Sequence, residues 1–466
     1  MRVCGWVQTV RSHGKIIFID LRDKSGILQV VFTPSTSSGQ VHKNMYETAQ
    51  KLRPEWVIGI EGKVQERPKT MVNPKLETGK VELQPENLEI FSQAKTLPFP
   101  IDTPACEVGE EIRMKYRYLD LRREKMKNNL ILRQKVIKFI RDFLTNEGFI
   151  EVETPILTKS TPEGARDYIV PSRNQPGKFY ALPQSPQQYK QLLMVAGLER
   201  YFQIPKCFRD EDPRGDRQPE FTQLDLEMSF VEQEDILDLT ERLYIEIVKK
   251  ITPEKKILKI PFPRLTFKEA MEKYDSDKPD LRNDKSNPQE LAFAWIVDFP
   301  MFEWKKEEKK WGPKHHPFTK IQNPKSKIQN NEEEFIKYIK QNPKELLAHQ
   351  YDFVLNGYEV GGGSIREHNP RILEAVFETL GHNKKEIRQK FGHLLEAFEY
   401  GVPPHGGIAP GIDRFIMILA NEPSIREVIA FPKTGDGRDL MMDSPAEVEE
   451  EQLKELKIKI VEGKKS

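Results

Sequence analysis

Short runs in which apolar and polar residues alternate occupy residues 1 to about 94. Arg2 to Val10, Lys15 to Leu21 and Ile27 to Phe32 read as strands, with turn signals at His13-Gly14 and Ser25-Gly26. Trp56 to Gln65, Lys80 to Leu83 and Leu88 to Phe91 continue the set, and Met45 to Leu52 is the helical candidate. This is about the strand count of a small five-stranded barrel, so an OB-fold is predicted over residues 1–94.

The pattern then breaks. Thr96 to Glu111 contains Pro98, Pro100 and Pro104 with no helical or strand period, which marks a linker, placed at 95–118. Beyond it Leu130, Ile131, Val136, Ile137, Ile140, Phe143 and Leu144 recur at helical spacing, and Gly148 is placed to end that helix in a left-handed cap. Strand-like runs are afterwards separated by helices without regular alternation. That favours a mostly antiparallel sheet in a large α+β domain over 119–466.

Composition narrows the class. At 466 residues the chain exceeds the size at which one core keeps growing, so two or more domains are expected. Hydrophobic residues at 37% and charged residues at 31% suit a soluble protein, and no stretch approaches a membrane span. Met1-Arg2-Val3-Cys4-Gly5-Trp6 does not read as a secretory signal, so a cytoplasmic location is expected. Net charge is +1, so any polyanion must be held by local patches. Cys4, Cys106 and Cys207 match no zinc spacing or disulfide framework and read as reduced thiols without a structural metal. Lys305 to Lys310 reads as a solvated charged loop.

Three segments carry candidate chemistry. Phe208-Arg209-Asp210-Glu211-Asp212 is followed by a loop containing Gly215, then Arg217-Gln218-Pro219-Glu220 and Phe221-Thr222-Gln223-Leu224-Asp225-Leu226-Glu227. Period two puts Phe221, Gln223, Asp225 and Glu227 on one face and Thr222, Leu224 and Leu226 on the other. Arg209 with Glu211 suits a triphosphate clamp, because a guanidinium offers a fixed fork of donors to phosphate oxygens. No G-x-G-x-x-G or G-x-x-x-x-G-K-[ST] loop occurs, so ATP, if bound, must be held some other way.

The second segment runs from Asp352 through Glu359 and Gly361-Gly362-Gly363 to Arg366. Two carboxylates at this spacing can share Mg²⁺, which prefers oxygen ligands and bridges nucleotide phosphates. Strict alternation puts Glu359 and Arg366 on opposite faces, so a shared pocket requires a bulge, expected within the glycine run. In the third, Gly406-Gly407-Ile408-Ala409-Pro410-Gly411-Ile412-Asp413-Arg414 puts glycines ahead of an apolar helix with an arginine in its first turn, a plausible anion site.

Together these segments resemble motifs 2 and 3 and the glycine-rich strand of class II aminoacyl-tRNA synthetases. Gly148-Phe149-Ile150-Glu151-Val152-Glu153-Thr154-Pro155 is similar to motif 1. Ser160-Thr161-Pro162-Glu163-Gly164-Ala165-Arg166-Asp167 and Gln184-Ser185-Pro186-Gln187-Gln188-Tyr189-Lys190-Gln191 resemble signatures of the aspartyl-tRNA synthetases. The resemblance covers nearly the whole chain. It implies ATP-dependent activation of L-aspartate and transfer to tRNA(Asp), and motif 1 implies a homodimer.

Carried over by position, Arg209 and Arg414 become catalytic. ATP falls to Arg209, Glu211, Gln218, Phe221, Glu359 and Arg414, with Mg²⁺ on Asp352 and Glu359. Aspartate falls to Glu163, Gln187, Lys190, Arg209, Asp225, His315 and Arg366, with Lys190 and Arg366 on its side-chain carboxylate. Two cations facing one buried carboxylate would also reject neutral asparagine. The barrel is similar to an anticodon-binding domain, with Arg11, His13, Phe18 and Gln29 at the matching positions. From periodicity alone Phe18 reads as barrel core. Histidine at position 13 points to charging of tRNA(Asn) as well.

Two departures from the family pattern stand out. The domain usually inserted between motifs 2 and 3 is missing, since Ser276 to Arg282 runs almost directly into Trp295 to Pro300, and little chain precedes the first strand. The rival readings are an asparagine or lysine synthetase, a catalytically inactive synthetase-like RNA-binding protein, and a tRNA-independent amide-forming enzyme.

Overall fold

A computed structural model of the chain describes residues 1–34, 40–102, 108–161, 164–322 and 331–461, without the side chains of 40–43; Cys106 and Glu163 lie outside the described residues. The chain divides into two compact units, Met1–Thr103 and Pro104–Ser466. Among the described residues no helix is long and apolar enough to cross a membrane.

The first unit is a closed barrel of β1 (Arg2–His13), β2 (Ile16–Arg22), β3 (Ile27–Phe32), β4 (Val57–Glu66) and β5 (Val81–Ser92), in the order β1-β2-β3-β5-β4 with β4 closing on β1. Alternate residues Ile17, Ile19 and Leu21 fill its interior with Val7, Val30, Ile58, Ile60 and Leu83. Helix α1 (Gln40–Ala49) starts and ends earlier than its apolar pattern indicated, while Leu52 beyond its end is still buried in the core. The two strands expected at 80–83 and 88–91 are one. A register shift opposite Glu61 and Gly62 carries the strand past Pro85, which has no N–H to give the ladder.

The second unit is built on a mixed, mostly antiparallel sheet. Its elements are α2 (Glu124–Asn146), β6 (Ile150–Glu151), α3 (Gln187–Val195), β7 (Arg200–Gln203), β8 (Lys206–Phe208), β9 (Glu220–Thr222), β10 (Asp225–Ser229), α4 (Gln233–Ile251), β11 (Arg264–Thr266), β12 (Phe293–Pro300), β13 (Leu347–Leu355), β14 (Tyr358–Ile365), β15 (His405–Pro410) and α5 (Ile412–Leu419). The sheet order is β11-β12-β13-β14-β15-β10-β7-β6, with the short strand Ile321–Gln322 on β13. Only β11 with β12 and β6 with β7 run parallel among these pairs.

Helix α2 stops where its sequence predicts. Gly148 has φ +82°, the Phe149 N–H donates to Leu144 O and the Gly148 N–H to Thr145 O, which is a Schellman closure. Residues 110–118, placed in the linker at 95–118, contribute to two short helices, Glu110–Lys115 and Arg117–Asp120. Buried Arg113 donates to Glu427 Oε1 at 2.7 Å and buried Arg117 donates from Nε to Ala430 O at 2.9 Å, tying this segment to the chain beyond α5. Lys305 to Lys310 is the turn of a hairpin, Phe302–Lys305 with Lys310–Pro313.

The sheet has two chemically different faces. Leu224, Leu226, Ile408 and Phe353 join Val136, Ile140, Leu243, Tyr244 and Ile416 of α2, α4 and α5 in the main core. The opposite face of β10 carries Asp225 and Glu227, both fully buried without being apolar. That inversion marks the candidate site.

Candidate active site

A cavity of about 320 Å³ opens among the ends of β9, β10, β14 and α5 and the start of α3. Its walls include Gln187, Lys190, Arg209, Glu211, Gln218, Phe221, Asp225, His315, Glu359, Arg366 and Arg414, so one cavity gathers the described residues assigned to aspartate and ATP. Asp352 is not on the wall and lies behind it.

At one end four charged side chains are sealed from water. Lys190, on α3, places Nζ 2.9 Å from Asp225 Oδ2 and 3.2 Å from Glu227 Oε2. Arg366 donates from Nε to Glu227 Oε1 at 2.8 Å and from Nη2 to Oε2 at 3.1 Å. Gly407 makes this approach possible, because a Cβ there would lie 2.1 Å from Glu227 Oε2. The two cations and two carboxylates balance, which is how a protein keeps such charges buried.

The balance is uneven within the group. Burial pushes the Glu227 carboxyl up, but Arg366 and Lys190 outweigh it and leave it at about 2. Burial dominates at Asp225, whose pKa is raised despite Lys190, and its Oδ1 is a buried oxygen with no hydrogen-bond partner. Arg366 spends its remaining donors on Ser364 Oγ at 2.7 Å, His316 Nε2 at 2.9 Å and Gly407 O at 3.3 Å. All five N–H groups of the guanidinium are therefore engaged. The expectation of two free cations at this end needs correcting: both are already compensated, and Glu227, given no role from sequence, supplies much of the compensation. Burial, with Arg366 beside it, holds the His316 pKa well below its usual value, so it accepts from Arg366 as a neutral ring.

The other end is looser. The Arg209 guanidinium lies 5.0 Å from the centre of the Phe221 ring, and its Nε is buried without a partner, as is Nε of Arg414. Arg414 donates to Glu359 O and reaches Asp216 Oδ2 at 3.2 Å. Glu211 is paired with Arg217 at 2.8 Å. Gln218 is a clamp: its Nε2 donates to Lys433 O at 3.1 Å and its Oε1 accepts from the Lys433 N–H at 2.7 Å. Asp413 also braces this end, accepting from the Thr222 N–H at 2.8 Å and from Arg133 of α2. Neither Asp413 nor Asp216 was singled out from sequence, although Asp413 adjoins Arg414.

Between the two ends lies the glycine strand. Pairing passes from Phe353–Gly361 to Val354–Glu359, so Val360 is the extra residue of a bulge. The bulge thus precedes the glycines, and pairing through Gly361 to Gly363 is regular, which corrects its expected place. Its effect is the anticipated one: Glu359 and Arg366 both reach the cavity. A Cβ on Gly362 would sit 3.2 Å from Asp352 Oδ1 and 3.8 Å from Glu359 Oε1, so that glycine leaves space between two carboxylates. Burial, reinforced by Glu359 and opposed by His315, pushes Asp352 up to about 7. An oxygen-only pair that repels itself in this way fits a divalent cation. His315 Nε2, 3.5 Å from Asp352 Oδ2, has no hydrogen-bond partner.

In the barrel, Arg11, His13, Phe18 and Gln29 fall on β1, β2 and β3. Arg11 is directly opposite Phe18, and Asp20 is opposite Gln29. Phe18 faces outward, half-buried, with His13 edge-on at 6.4 Å, so the periodicity reading of core is corrected. Arg11 pairs with Asp20 at 2.9 Å, and Gln29 donates to Glu82 Oε2 at 3.2 Å.

Comparison with known proteins agrees with both units. Residues 109–435 match the family described as tRNA synthetases class II (D, K and N), and residues 1–91 match the OB-fold nucleic acid binding domain. The chain is 42% identical to the Aspartate--tRNA(Asp/Asn) ligase of Syntrophomonas wolfei, covering 98% of this chain and 96% of that one. It is 44% identical to the ligase of the same name from Dictyoglomus turgidum, over 98% and 95%. The first of these alignments spans 581 positions against the 466 residues here, so the relative carries extra residues within the aligned region. In fold, the chain resembles asparaginyl-tRNA synthetase from Pyrococcus horikoshii, with a TM-score of 0.71, 24% identity and coverage of 93% and 94%. With family matches across both units and these full-length relatives, the chain belongs to the class II tRNA synthetases of the aspartate, lysine and asparagine group.

Proposed function

We propose that this enzyme is an aspartate–tRNA ligase that joins L-aspartate to ATP as aspartyl-adenylate and then loads it onto tRNA(Asp) and tRNA(Asn). The observation that carries this reading is the pairing of a sealed, charge-balanced end with an end where two guanidinium groups keep unpartnered, buried Nε–H donors. The second end suits a triphosphate, whose oxygens take those donors. The first suits a small zwitterion with one further carboxylate.

In this reading Asp225 Oδ1 accepts from the substrate ammonium. Lys190 and Nη1 of Arg366 receive its side-chain carboxylate, which displaces His316 from the guanidinium. Arg209 holds the reacting carboxylate and the α-phosphate, Phe221 stacks on adenine and Glu211 reads its edge. Arg414 holds the γ-phosphate. Gln218 contributes by fixing its loop. Catalysis then comes from positioning and charge stabilisation, with in-line attack of the α-carboxylate on the α-phosphorus as the bond to the β-phosphate oxygen breaks and pyrophosphate leaves, and with no covalent enzyme intermediate. Asp352 and Glu359 would hold Mg²⁺, which supplies charge neutralisation on the phosphates.

Residues 1–94 serve as the anticodon-binding domain, where Phe18 stacks on a base while Arg11, His13 and Gln29 contact base edges and backbone. The enzyme works in the cytoplasm as a homodimer formed through motif 1.

Amino-acid-dependent pyrophosphate exchange, followed by charging of separate tRNA(Asp) and tRNA(Asn) transcripts, tests the reading. Aspartate is expected to exceed asparagine and lysine by a factor on the order of 10⁴ in kcat/KM, the discrimination of a site whose buried polar groups go unpaired with the wrong ligand. Comparable charging of both transcripts is expected. Exchange driven equally by asparagine defeats the substrate assignment, and charging of tRNA(Asp) alone defeats the second tRNA.

A further inference from the structure

Gln187 lines the cavity, and an amide side chain there can offer a ligand either an N–H or a carbonyl oxygen. Which one it offers is fixed by residues behind it. His405 begins β15, is fully buried, and places Nδ1 2.8 Å from Pro403 O. A carbonyl oxygen only accepts, so Nδ1 carries the hydrogen. Burial lowers the ring's pKa to about 4, so the imidazole is neutral and its Nε2 is a bare acceptor.

Gln191 Nε2 lies 3.1 Å from that nitrogen and must donate to it. The Gln191 amide is thereby oriented with Oε1 pointing away from His405, and this oxygen accepts from Gln187 Nε2 at 3.1 Å. Both glutamines are buried. Among the described residues nothing donates to the Gln187 carbonyl oxygen, so the relay leaves that oxygen for a ligand.

We propose that His405 and Gln191 are positioning residues that hold the Gln187 carbonyl oxygen toward the cavity as an acceptor for the ammonium group of the amino acid substrate. The inference rests on the reading that Gln187 touches the amino acid. Without the relay the Gln187 amide can turn over and present N–H₂ to a cation, which repels it. The effect falls on recognition of the ammonium and spares the nucleotide.

Two substitutions separate orientation from simple packing. Gln191→Leu removes the relay. Gln191→Glu keeps it, because a carboxylate still accepts from Gln187 Nε2, while its other oxygen meets His405, which then takes a proton. In pyrophosphate exchange with the full chain, Gln191→Leu is expected to raise KM for aspartate about tenfold or more, the loss of one hydrogen bond to a charged group, with KM for ATP unchanged. Gln191→Glu should stay within about threefold of the parent. Inhibition by succinate, which lacks the ammonium, should be unaltered in Gln191→Leu.

A merely structural role predicts the reverse order, since a buried charge disturbs packing more than leucine does. Gln191→Glu being the worse variant, or succinate weakening as much as aspartate, overturns the proposal. Gln187→Leu tells the two layers apart. If it leaves KM for aspartate unchanged, the placement of Gln187 at the amino acid fails; if it raises KM while Gln191→Leu does not, the relay alone fails.

Discussion

The two ends of the catalytic cavity use the same kinds of side chain in opposite states. At the end proposed for the amino acid Lys190, Asp225, Glu227 and Arg366 are at most 2% exposed and locked to one another. At the end proposed for the nucleotide the side chains of Arg217, Glu211 and Arg414 are 44%, 29% and 24% exposed, and the cations are paired with part-exposed carboxylates or a backbone oxygen. Buried charges discriminate, because a ligand that enters must replace the partners it displaces, and a mismatch then costs several kcal/mol. Half-exposed charges cannot impose that penalty. They can be re-aimed, which suits a triphosphate whose shape and charge change during the reaction.

The largest expected effect comes from breaking the sealed end. Glu227→Ala leaves Arg366 and Lys190 with one carboxylate between them, and unfolding by denaturant should show a loss of about 3–5 kcal/mol. Arg209→Ala is the matching change at the other end, where no described carboxylate pairs with the guanidinium. It should cost less than about 1 kcal/mol of stability while slowing adenylate formation on the order of 10²–10³-fold. Equal stability losses in the two variants remove the distinction.

Acid sharpens the same contrast. His405 packs against the sealed end, where burial lowers it, Glu227 and Pro403 O pull it up, and Arg366 and His368 push it down, with about 4 as the outcome. The unfolded chain takes this proton below about pH 6.5, and the folded chain refuses it until about pH 4. Stability is therefore complete above pH 6.5 and is lost as pH falls through that window, by up to about 3 kcal/mol from this ring. His316, His349 and His368 are also lowered by burial and act with the same sign. In His405→Gln the stability profile from pH 6.5 to pH 4 should be shallower by about that amount. An unchanged slope shows that the imidazole is charged in the folded protein.

Much of this organisation was legible in the sequence, and the exceptions have physical causes. Period two alone put Asp225 and Glu227 on one face of β10, and helical spacing with Gly148 gave the end of α2. The proline-interrupted strand β5 was read as two because Pro85 breaks the ladder but not the chain direction. Glu227 went unassigned because its partners, Arg366 and Lys190, come from distant segments, and strand alternation says which face a carboxylate is on but not what meets it there. Gln218 was placed in the nucleotide set and does line the cavity; that its amide also closes on Lys433 depends on a return of the chain that no local pattern records. The Val360 bulge was inferred from chemistry, since Glu359 and Arg366 had to share a pocket, and its place was missed by a residue because the glycines that suggest flexibility pair regularly.

The smallest effect is the most selective. Phe221 lines the cavity half-buried on β9 beside the Arg209 guanidinium and takes no part in the main core. Phe221→Leu removes a flat surface for a base and a cation–π contact but keeps an apolar side chain of similar bulk. Base stacking on an aromatic ring contributes about 1–3 kcal/mol, so KM for ATP should rise roughly tenfold. Stability should move by less than about 0.5 kcal/mol, since no buried charge loses its partner. KM for aspartate should stay within about twofold, because the sealed end is held by its own ion pairs and not by the nucleotide wall. A parallel rise in both KM values would mean that the two ends are mechanically one, with the Val360 bulge between them transmitting the change instead of separating them.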